Sequence, residues 1–415
     1  MCSICGGTTW DFISKHIWEE SRDRGRDDEG MIIGKSGGWI GNHRATPTTE
    51  VLKPIERQPV GGAIKIVFNG IISNDAKLTI REGEADTSVL PRVLDFFSLK
   101  GFRDSIEQKL VGSYALAVLL PDGEIWLAAN YKPIWLAMDG SDVYFSSLKA
   151  HFPEGMHPWR MKPYSVLRIP TFGEPDSLPI TRTQSTRALV ICSSGLDSTT
   201  VASYAISIHG PDNTTLIHFN YGCRATSKEI ESVKKIAEYL KCELDIIPMV
   251  NFGSSSLLEV DTPLAEGIAG AEYAHEWVPA RNLMMLTHTV AYAEAKGFGH
   301  IYLGTNLEEA GAYPDNEEQF ILDFNNLLYG AVQNGVKIEI HSPLGGMMKH
   351  EIIPFGNKYN TPYHLTWSCY RAGEKPCNHC GPDFMRRTAF QRNKLIDPLE
   401  KREDDPTFWE GCHEL

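Results

Sequence analysis

The sequence predicts an α/β protein whose second half is a doubly wound parallel sheet, and three observations predict it. An apolar run, ALVIC at 188–192, breaks into the small polar turn Ser193-Ser194-Gly195, after which helix-compatible residues run from Leu196 through Val201 to Ile206. Further strand-like stretches at 215–219, 244–248 and 300–304 alternate with segments of helical period: Ile230, Val233, Ala237 and Leu240 recur at helical spacing, and 282–296 is stopped by Gly297. Thr226-x-x-Glu229 reads as a capping box that opens the first of these helices. Short buried strands separated by helices form βαβ units, with ligands gathered beyond the strands' carboxyl ends.

Bulk properties bound the rest. A chain of 415 residues can hold two cores. The expected division is a first domain over 1–172, a Pro- and Thr-rich connection without sustained period over 173–187, and a second domain over 188–415. A net charge of −13 argues against extensive nucleic-acid binding, which needs clustered Lys and Arg. No apolar stretch approaches membrane-spanning length and the start lacks a signal-peptide pattern, so a cytoplasmic protein is expected. Nine cysteines, three of them between Cys369 and Cys380, suit nucleophile and metal chemistry in a reducing compartment better than a disulfide framework.

Taken in order, the chain opens Met-Cys-Ser-Ile-Cys-Gly-Gly. Removal of Met1 would leave Cys2 with its own α-amine, which titrates near pH ~8 and can serve as base for the thiol. Cys2 and Cys5 also form a CxxC that could be half of a metal site. The strand at 64–68 runs into Asn69-Gly70, read as a tight turn exposing an amide and a backbone N–H, the two donors of an oxyanion hole, each worth roughly 10² to 10³ in rate. Upstream, Arg44 in Gly-Asn-His-Arg can fork onto a carboxylate. Downstream, Asp86 in Glu-Ala-Asp-Thr can hold an ammonium group. A thiol, two oxyanion donors, a carboxylate clamp and an amine acceptor together describe a glutamine pocket.

This order resembles the class II glutamine amidotransferases, on FNGIISN at 68–74, EADTSVL at 84–90, LVGSYALAVL at 110–119 and YFSSLKAHF at 144–152. The resemblance implies an N-terminal-nucleophile hydrolase (Ntn) αββα sandwich, two stacked antiparallel sheets between helices. It makes Cys2 the nucleophile, Asn69 and Gly70 the oxyanion hole, Arg44 the clamp on the glutamine carboxylate and Asp86 the partner of its amine. HRATPT at 43–48 departs from the family's usual Arg-x-x-Thr/Ser.

The turn at 193–195 falls at a helix N-terminus, where unpaired N–H groups favour an anion. No Gly-Lys-Ser/Thr ending follows, so transfer of a terminal phosphate is disfavoured. SSGLDS resembles the SGGxDS loop of PP-loop ATP pyrophosphatases, which adenylate a carboxyl or amide. That resemblance implies an ATP site at Ser193, Ser194, Gly195, Leu196, Asp197, Ser198 and Thr199, with Asp197 catalytic and Mg2+ accompanying the nucleotide. Ser194 stands where the family usually has glycine, so a left-handed backbone there would be strained. The same sheet edge should gather Tyr221-Gly222, Arg281-Asn282, Gly304-Thr305-Asn306 and Tyr313-Pro314-Asp315. Arg281 and Asp315 are candidate substrate or phosphate contacts; a structural ion pair is the alternative for Arg281.

Near the end, SCYRAGEKPCNHCGPD brings Cys369, Cys377, Cys380 and Asp383 into zinc-knuckle spacing, with His379 competing as fourth ligand. The order SSGLDSTT, NYG, VPARN, YPD, TWSCY and cysteine cluster resembles the 7-cyano-7-deazaguanine synthase family, in a branch fused to an amidotransferase. The resemblance implies a cytoplasmic ligase using ATP, Mg2+ and Zn2+. ATP activates 7-carboxy-7-deazaguanine as an adenylate, and ammonia from glutamine gives the amide; a second activation dehydrates it to the nitrile. It implies glutamine and a 7-deazaguanine as small-molecule partners, and a homodimer is compatible with it. Fused members are also placed in archaeosine formation, as amidine synthases acting on tRNA or DNA, and in antiviral defence clusters that conjugate a deazaguanine to a dedicated protein partner.

Overall fold

The computed structural model describes residues 2–45, 57–74, 78, 86–171, 173–253, 255–259, 261–267 and 276–400. The chain divides into two compact units, Met1–Thr183 with Gln333–Gly335, and Gln184–Val332 with Val336–Leu415.

The first unit holds strands β1 (Ser3–Gly7), β2 (Asp28–Ile33), β3 (Trp39–Arg44), β4 (Lys65–Ile72), β5 (Gly112–Leu119), β6 (Ile125–Ala129), β7 (Trp135–Asp139), β8 (Asp142–Ser146), β9 (Trp159–Arg160), β10 (Ser165–Ile169) and β11 (Asp176–Pro179). They form two antiparallel sheets, ordered β2-β3-β1-β8-β7-β9 and β11-β10-β6-β5-β4. Strand alternation decides the layers. Ile4, Ile40 and Phe145 of one sheet share a core with Val67, Ala115 and Leu127 of the other. Their neighbours Cys5, Trp39 and Tyr144 point the opposite way, onto Ile13 and Ile17 of helix α1 (Phe12–Ser21). Across the second sheet, Trp126 meets Phe102 of helix α2 (Leu99–Lys109), ring centroids 5.5 Å apart. Both helices begin at a side-chain cap, Asp11 accepting from the Ser14 N–H and Ser98 from that of Gly101. The result is the expected helix–sheet–sheet–helix stack.

Two expectations for this half are corrected. Asn69 and Gly70 are not a turn: they lie inside β4, paired with Ala115 and Tyr114 of β5. Glycine is needed at 70 because a Cβ would stand 1.9 Å from the Ser113 carbonyl oxygen, a close approach of two backbones. The stretch read as a connection is partly structural as well, since 176–179 forms edge strand β11, paired with β10 from Ser165↔Pro179 to Arg168↔Asp176.

The second unit is a parallel sheet of β12 (Ala188–Ile191), β13 (Thr214–Asn220), β14 (Glu243–Pro248), β15 (His300–Tyr302) and β16 (Glu339–His341), ordered β14-β13-β12-β15-β16. Its helices include α3 (Leu196–His209), α4 (Thr226–Leu240), α5 (Arg281–Lys296), α6 (Glu318–Ala331), α7 (Lys349–Asn357) and α8 (Gly381–Arg392). Leu189, Ile217 and Ile301 pack on Leu286 of α5 and Phe324 of α6. Ala188, Val190 and Leu216 pack on Val201 of α3, Ile236 of α4 and Ile352 of α7. Both faces are therefore covered, which is why 188–191 is apolar throughout and buried at every position. From β12 the chain builds outward to β13 and β14, then returns to β15 on the other side, so the topological switch point lies between the carboxyl ends of β12 and β15. Gly297, at φ +74°, ends α5 as expected.

The capping box is corrected. Ala225, not Thr226, is the N-cap of α4, and the Thr226 hydroxyl donates to the Cys223 carbonyl at 2.6 Å. Glu229 is thereby freed from a capping role.

Candidate active site

At the switch point β12 delivers Cys192, the chain turns through Ser193–Gly195, and α3 starts at Leu196. Gly195 is the N-cap and supplies no side-chain cap, so the first-turn N–H groups stay available to an anion. Ser194 has φ +68°, the left-handed backbone that costs an L-residue about 1–2 kcal/mol. Its Oγ is buried without a hydrogen-bond partner, while its carbonyl accepts from the Trp367 N–H at 2.9 Å. The Ser198 hydroxyl closes the turn, 3.1 Å from both the Ser193 N and Oγ. Gly304, just past β15, permits the close packing: a Cβ there would stand 3.0 Å from the Ser198 nitrogen.

Beside the turn is a buried charge cluster. Asp197 Oδ2 accepts from Lys349 Nζ at 2.5 Å and from Asn306 Nδ2 at 3.0 Å. Lys349 Nζ also donates to Glu309 Oε1 at 3.0 Å, and Asn306 Oδ1 accepts from the Glu309 N–H at 3.0 Å. Burial pushes the Asp197 carboxyl up against the pull of Lys349, while the same ammonium holds Glu309 down despite its burial. Burial opposes charge on Lys349 too, but Asp197 and Glu309 outweigh it and keep the amine above its ordinary range. Two carboxylates facing one ammonium leave the cluster short of positive charge, and Asp197 Oδ1 is buried without a partner. Sequence reading missed Lys349 and Glu309.

The cavity that opens from the turn is walled by His218, Phe219, Tyr221, Glu229, Arg281 and Trp367 among others. His218 Nδ1 lies 2.9 Å from the Cys192 carbonyl, so it carries the proton and leaves Nε2 a bare acceptor, 4.0 Å from Glu229 Oε2. Arg281 Nη1 reaches the Tyr221 hydroxyl at 3.5 Å. Asp315 accepts from the Asn282 N–H at 3.3 Å. Of the two expected substrate contacts, Arg281 thus lines the cavity and Asp315 steadies the helix start that carries it.

Burial pushes the Glu229 carboxyl up to about 7. An acid raised on folding contributes stability that is fully present below its unfolded value, 4.5, and lost as pH rises through 7. Glu229→Gln, which cannot ionise, is expected to be more stable than the parent at pH 8 by on the order of 3 kcal/mol and equal to it at about pH 4. Urea unfolding at the two pH values measures the difference.

Cys369, Cys377, Cys380 and Asp383 bring one ligand atom each within 4.8 Å of one another. Backbone N–H groups already surround the sulfurs as they would thiolates: Arg371 and Cys377 donate to Cys369 Sγ at 3.4 and 3.3 Å, and Cys380 donates to Cys377 Sγ at 3.4 Å. The Asn378 N–H holds Asp383 Oδ2 at 3.0 Å. Three thiols and a carboxylate in this arrangement fit a tetrahedral zinc. The gathered set contains Asp383 and not His379, which is exposed.

In the first unit Cys2 immediately precedes β1, and its Sγ lies 3.8 Å from the Ala45 carbonyl, next to Arg44 at the end of β3. The Asn42 amide donates to the Ser3 carbonyl at 3.0 Å and the Phe68 carbonyl at 3.4 Å, tying the neighbours of Cys2 and of Asn69 together. Asn69 Nδ2 is buried without a hydrogen-bond partner. Arg24 and Lys132 both interact electrostatically with Cys2. Asp86 opens a 3-10 turn, Asp86–Val89; its side chain, like residues 84 and 85, lies outside the described residues.

The family model of the queuosine biosynthesis protein QueC matches residues 187–394, which span the turn, the cavity and the cysteine cluster. A protein of Saccharolobus solfataricus named 7-cyano-7-deazaguanine synthase is 37% identical over 94% of this chain and 95% of its own length. One of the same name from Sulfolobus acidocaldarius is 39% identical over 96% and 99%. The Acetivibrio thermocellus protein of that name is 36% identical and matches 52% of this chain with 98% of its own length. The longer relatives therefore share both units and the shorter one lacks a counterpart of about half the chain. With more than a third of positions identical along almost its whole length, the chain belongs to the 7-cyano-7-deazaguanine synthase family.

Proposed function

We propose that the chain is a glutamine- and ATP-dependent amidating enzyme that converts 7-carboxy-7-deazaguanine to the amide and onward to the nitrile. The observation that carries the reading is the turn at the switch point, an uncapped helix N-terminus lined by Ser193 and Ser198 with Asp197 clamped by Lys349 beside it. The first-turn N–H groups and the serines bind the β- and γ-phosphates. The free Oδ1 of Asp197 offers a ligand to the nucleotide's Mg2+. The substrate carboxylate attacks the α-phosphorus, pyrophosphate departs as a unit, and the acyl adenylate accepts ammonia at its carbonyl carbon with loss of AMP. A second ATP activates the amide oxygen in the same way, and loss of AMP and protons leaves the nitrile. The cysteine cluster holds Zn2+ as a structural clamp on the start of α8.

Ammonia comes from the first unit. Cys2 Sγ attacks the glutamine side-chain carbonyl, the developing oxyanion is met by Asn69 Nδ2 and the Gly70 N–H, ammonia leaves, and water releases glutamate from the thioester. The unpartnered amide of Asn69 is a donor held ready for such an acceptor. Arg44 and Asp86 take the substrate's carboxylate and amine.

Incubation with ATP, glutamine and 7-carboxy-7-deazaguanine, followed by mass analysis, tests this. Expected products are the amide or nitrile together with AMP, pyrophosphate and glutamate. Formation of ADP, or no turnover of the free base with either glutamine or ammonium, would overturn the proposal.

A further inference from the structure

A second cluster of metal-binding side chains lies on the opposite wing of the parallel sheet from β14. β15 and β16 pair in register, His300↔Glu339 and Tyr302↔His341, so alternation puts all four side chains on one face. His300 Nδ1 and His341 Nε2 are 3.0 Å apart, and one ligand atom from each of His300, His341 and Glu339 lies within 4.8 Å of the others. A tetrahedral zinc bound at about 2.0–2.1 Å spaces its ligand nitrogens by roughly 3.3 Å, so a small movement of either ring would admit one.

The surroundings orient the set. The His209 ring lies tilted against that of His300, centroids 4.8 Å apart, but its Nδ1 is bound to the Thr186 carbonyl (2.7 Å) and its Nε2 to the Tyr302 hydroxyl (2.9 Å), so it is a neighbour and not a ligand. Tyr302 stacks on His341 at 4.8 Å. Lys337 and Gln184 both approach Glu339 through Oε2, at 2.6 and 3.4 Å, leaving Oε1 for a metal and acting as the outer hydrogen bonds a ligating carboxylate commonly keeps. A cavity lined by Glu339, His341, Tyr204 and Asn325 supplies a path and room for a water as fourth ligand.

We propose that His300, Glu339 and His341 bind a zinc ion, separate from that of the cysteine cluster, which staples β16 to β15. The staple would brace the active-site wall, because the residues after the two strands meet again where the hydroxyls of Thr305 and Ser342 bond to each other.

Zinc content after chelation, reloading with Zn2+ and dialysis tests the assignment in the full chain. His300→Ala/His341→Ala is expected to hold one equivalent fewer than the parent, and Cys377→Ser/Cys380→Ser to keep the equivalent that the histidine variant loses. Equal zinc in the parent and the histidine variant would overturn the proposal. Titration of the unmodified, metal-free protein with Co2+ is independent of any folding defect in a variant. One equivalent should give visible d–d absorption without the near-ultraviolet thiolate charge-transfer band, and absence of such an equivalent would also overturn it.

Discussion

Lys349→Met is expected to abolish ATP turnover, lowering AMP release at least ~10³-fold with ammonium as the nitrogen source. Methionine matches the apolar stem of the lysine but leaves Asp197 and Glu309 facing each other in a buried site without the ammonium between them. Breaking a buried pair by removing one partner costs about 3–5 kcal/mol, so the variant should also unfold at lower urea. A second substitution separates the two effects. Asp197→Asn keeps a carbonyl oxygen for Lys349 and leaves the Lys349–Glu309 pair intact, so it should lose AMP release while losing less stability than Lys349→Met. Undiminished AMP release by a folded Lys349→Met would remove the cluster from the chemistry.

Asp197 was legible in the sequence and its partner was not, and the difference has a physical origin. Asp197 follows an apolar strand and a small-residue turn within a few positions, and a strand–turn–helix at a phosphate site is a local pattern. Lys349 reaches it from 152 residues away. It follows GGMM at the head of α7, with no period or motif to set it apart from a surface lysine; only the return of the chain past β16 brings its amine to the turn. β16 itself, three residues long, is too short to show a period of two. Elsewhere a local pattern misled. Asn69-Gly70 has the composition of a hairpin turn, yet the glycine is there for the Ser113 carbonyl across the sheet. Thr226 and Glu229 have capping-box spacing, yet the helix starts one residue earlier than that reading requires, and the acid is spent on the cavity wall. In each case the residue type was the right signal, and its cause was a contact that sequence spacing does not encode. Ser194 is the converse: the sequence posed strain as conditional on a left-handed backbone, and the condition holds.

The same logic sets the sharpest expectation for the first unit. Cys2→Ala should reduce product formed from glutamine at least ~10³-fold, because the thioester of the proposed reaction forms on its sulfur. Product formed from added ammonium should stay within about twofold of the parent, since Cys2 belongs to the first unit and the nucleotide turn to the second. Asn69→Ala tests the oxyanion role apart from the nucleophile. It removes the buried amide nitrogen that has no partner in the resting protein, so glutamate release should fall by about 10² to 10³ with KM for glutamine little changed, the signature of an interaction made only in the transition state. Equal loss with glutamine and with ammonium in Cys2→Ala would mean that the thiol serves the fold and not nitrogen transfer. A rise in KM alone in Asn69→Ala would mean that the amide binds glutamine without stabilising the charge that develops on it.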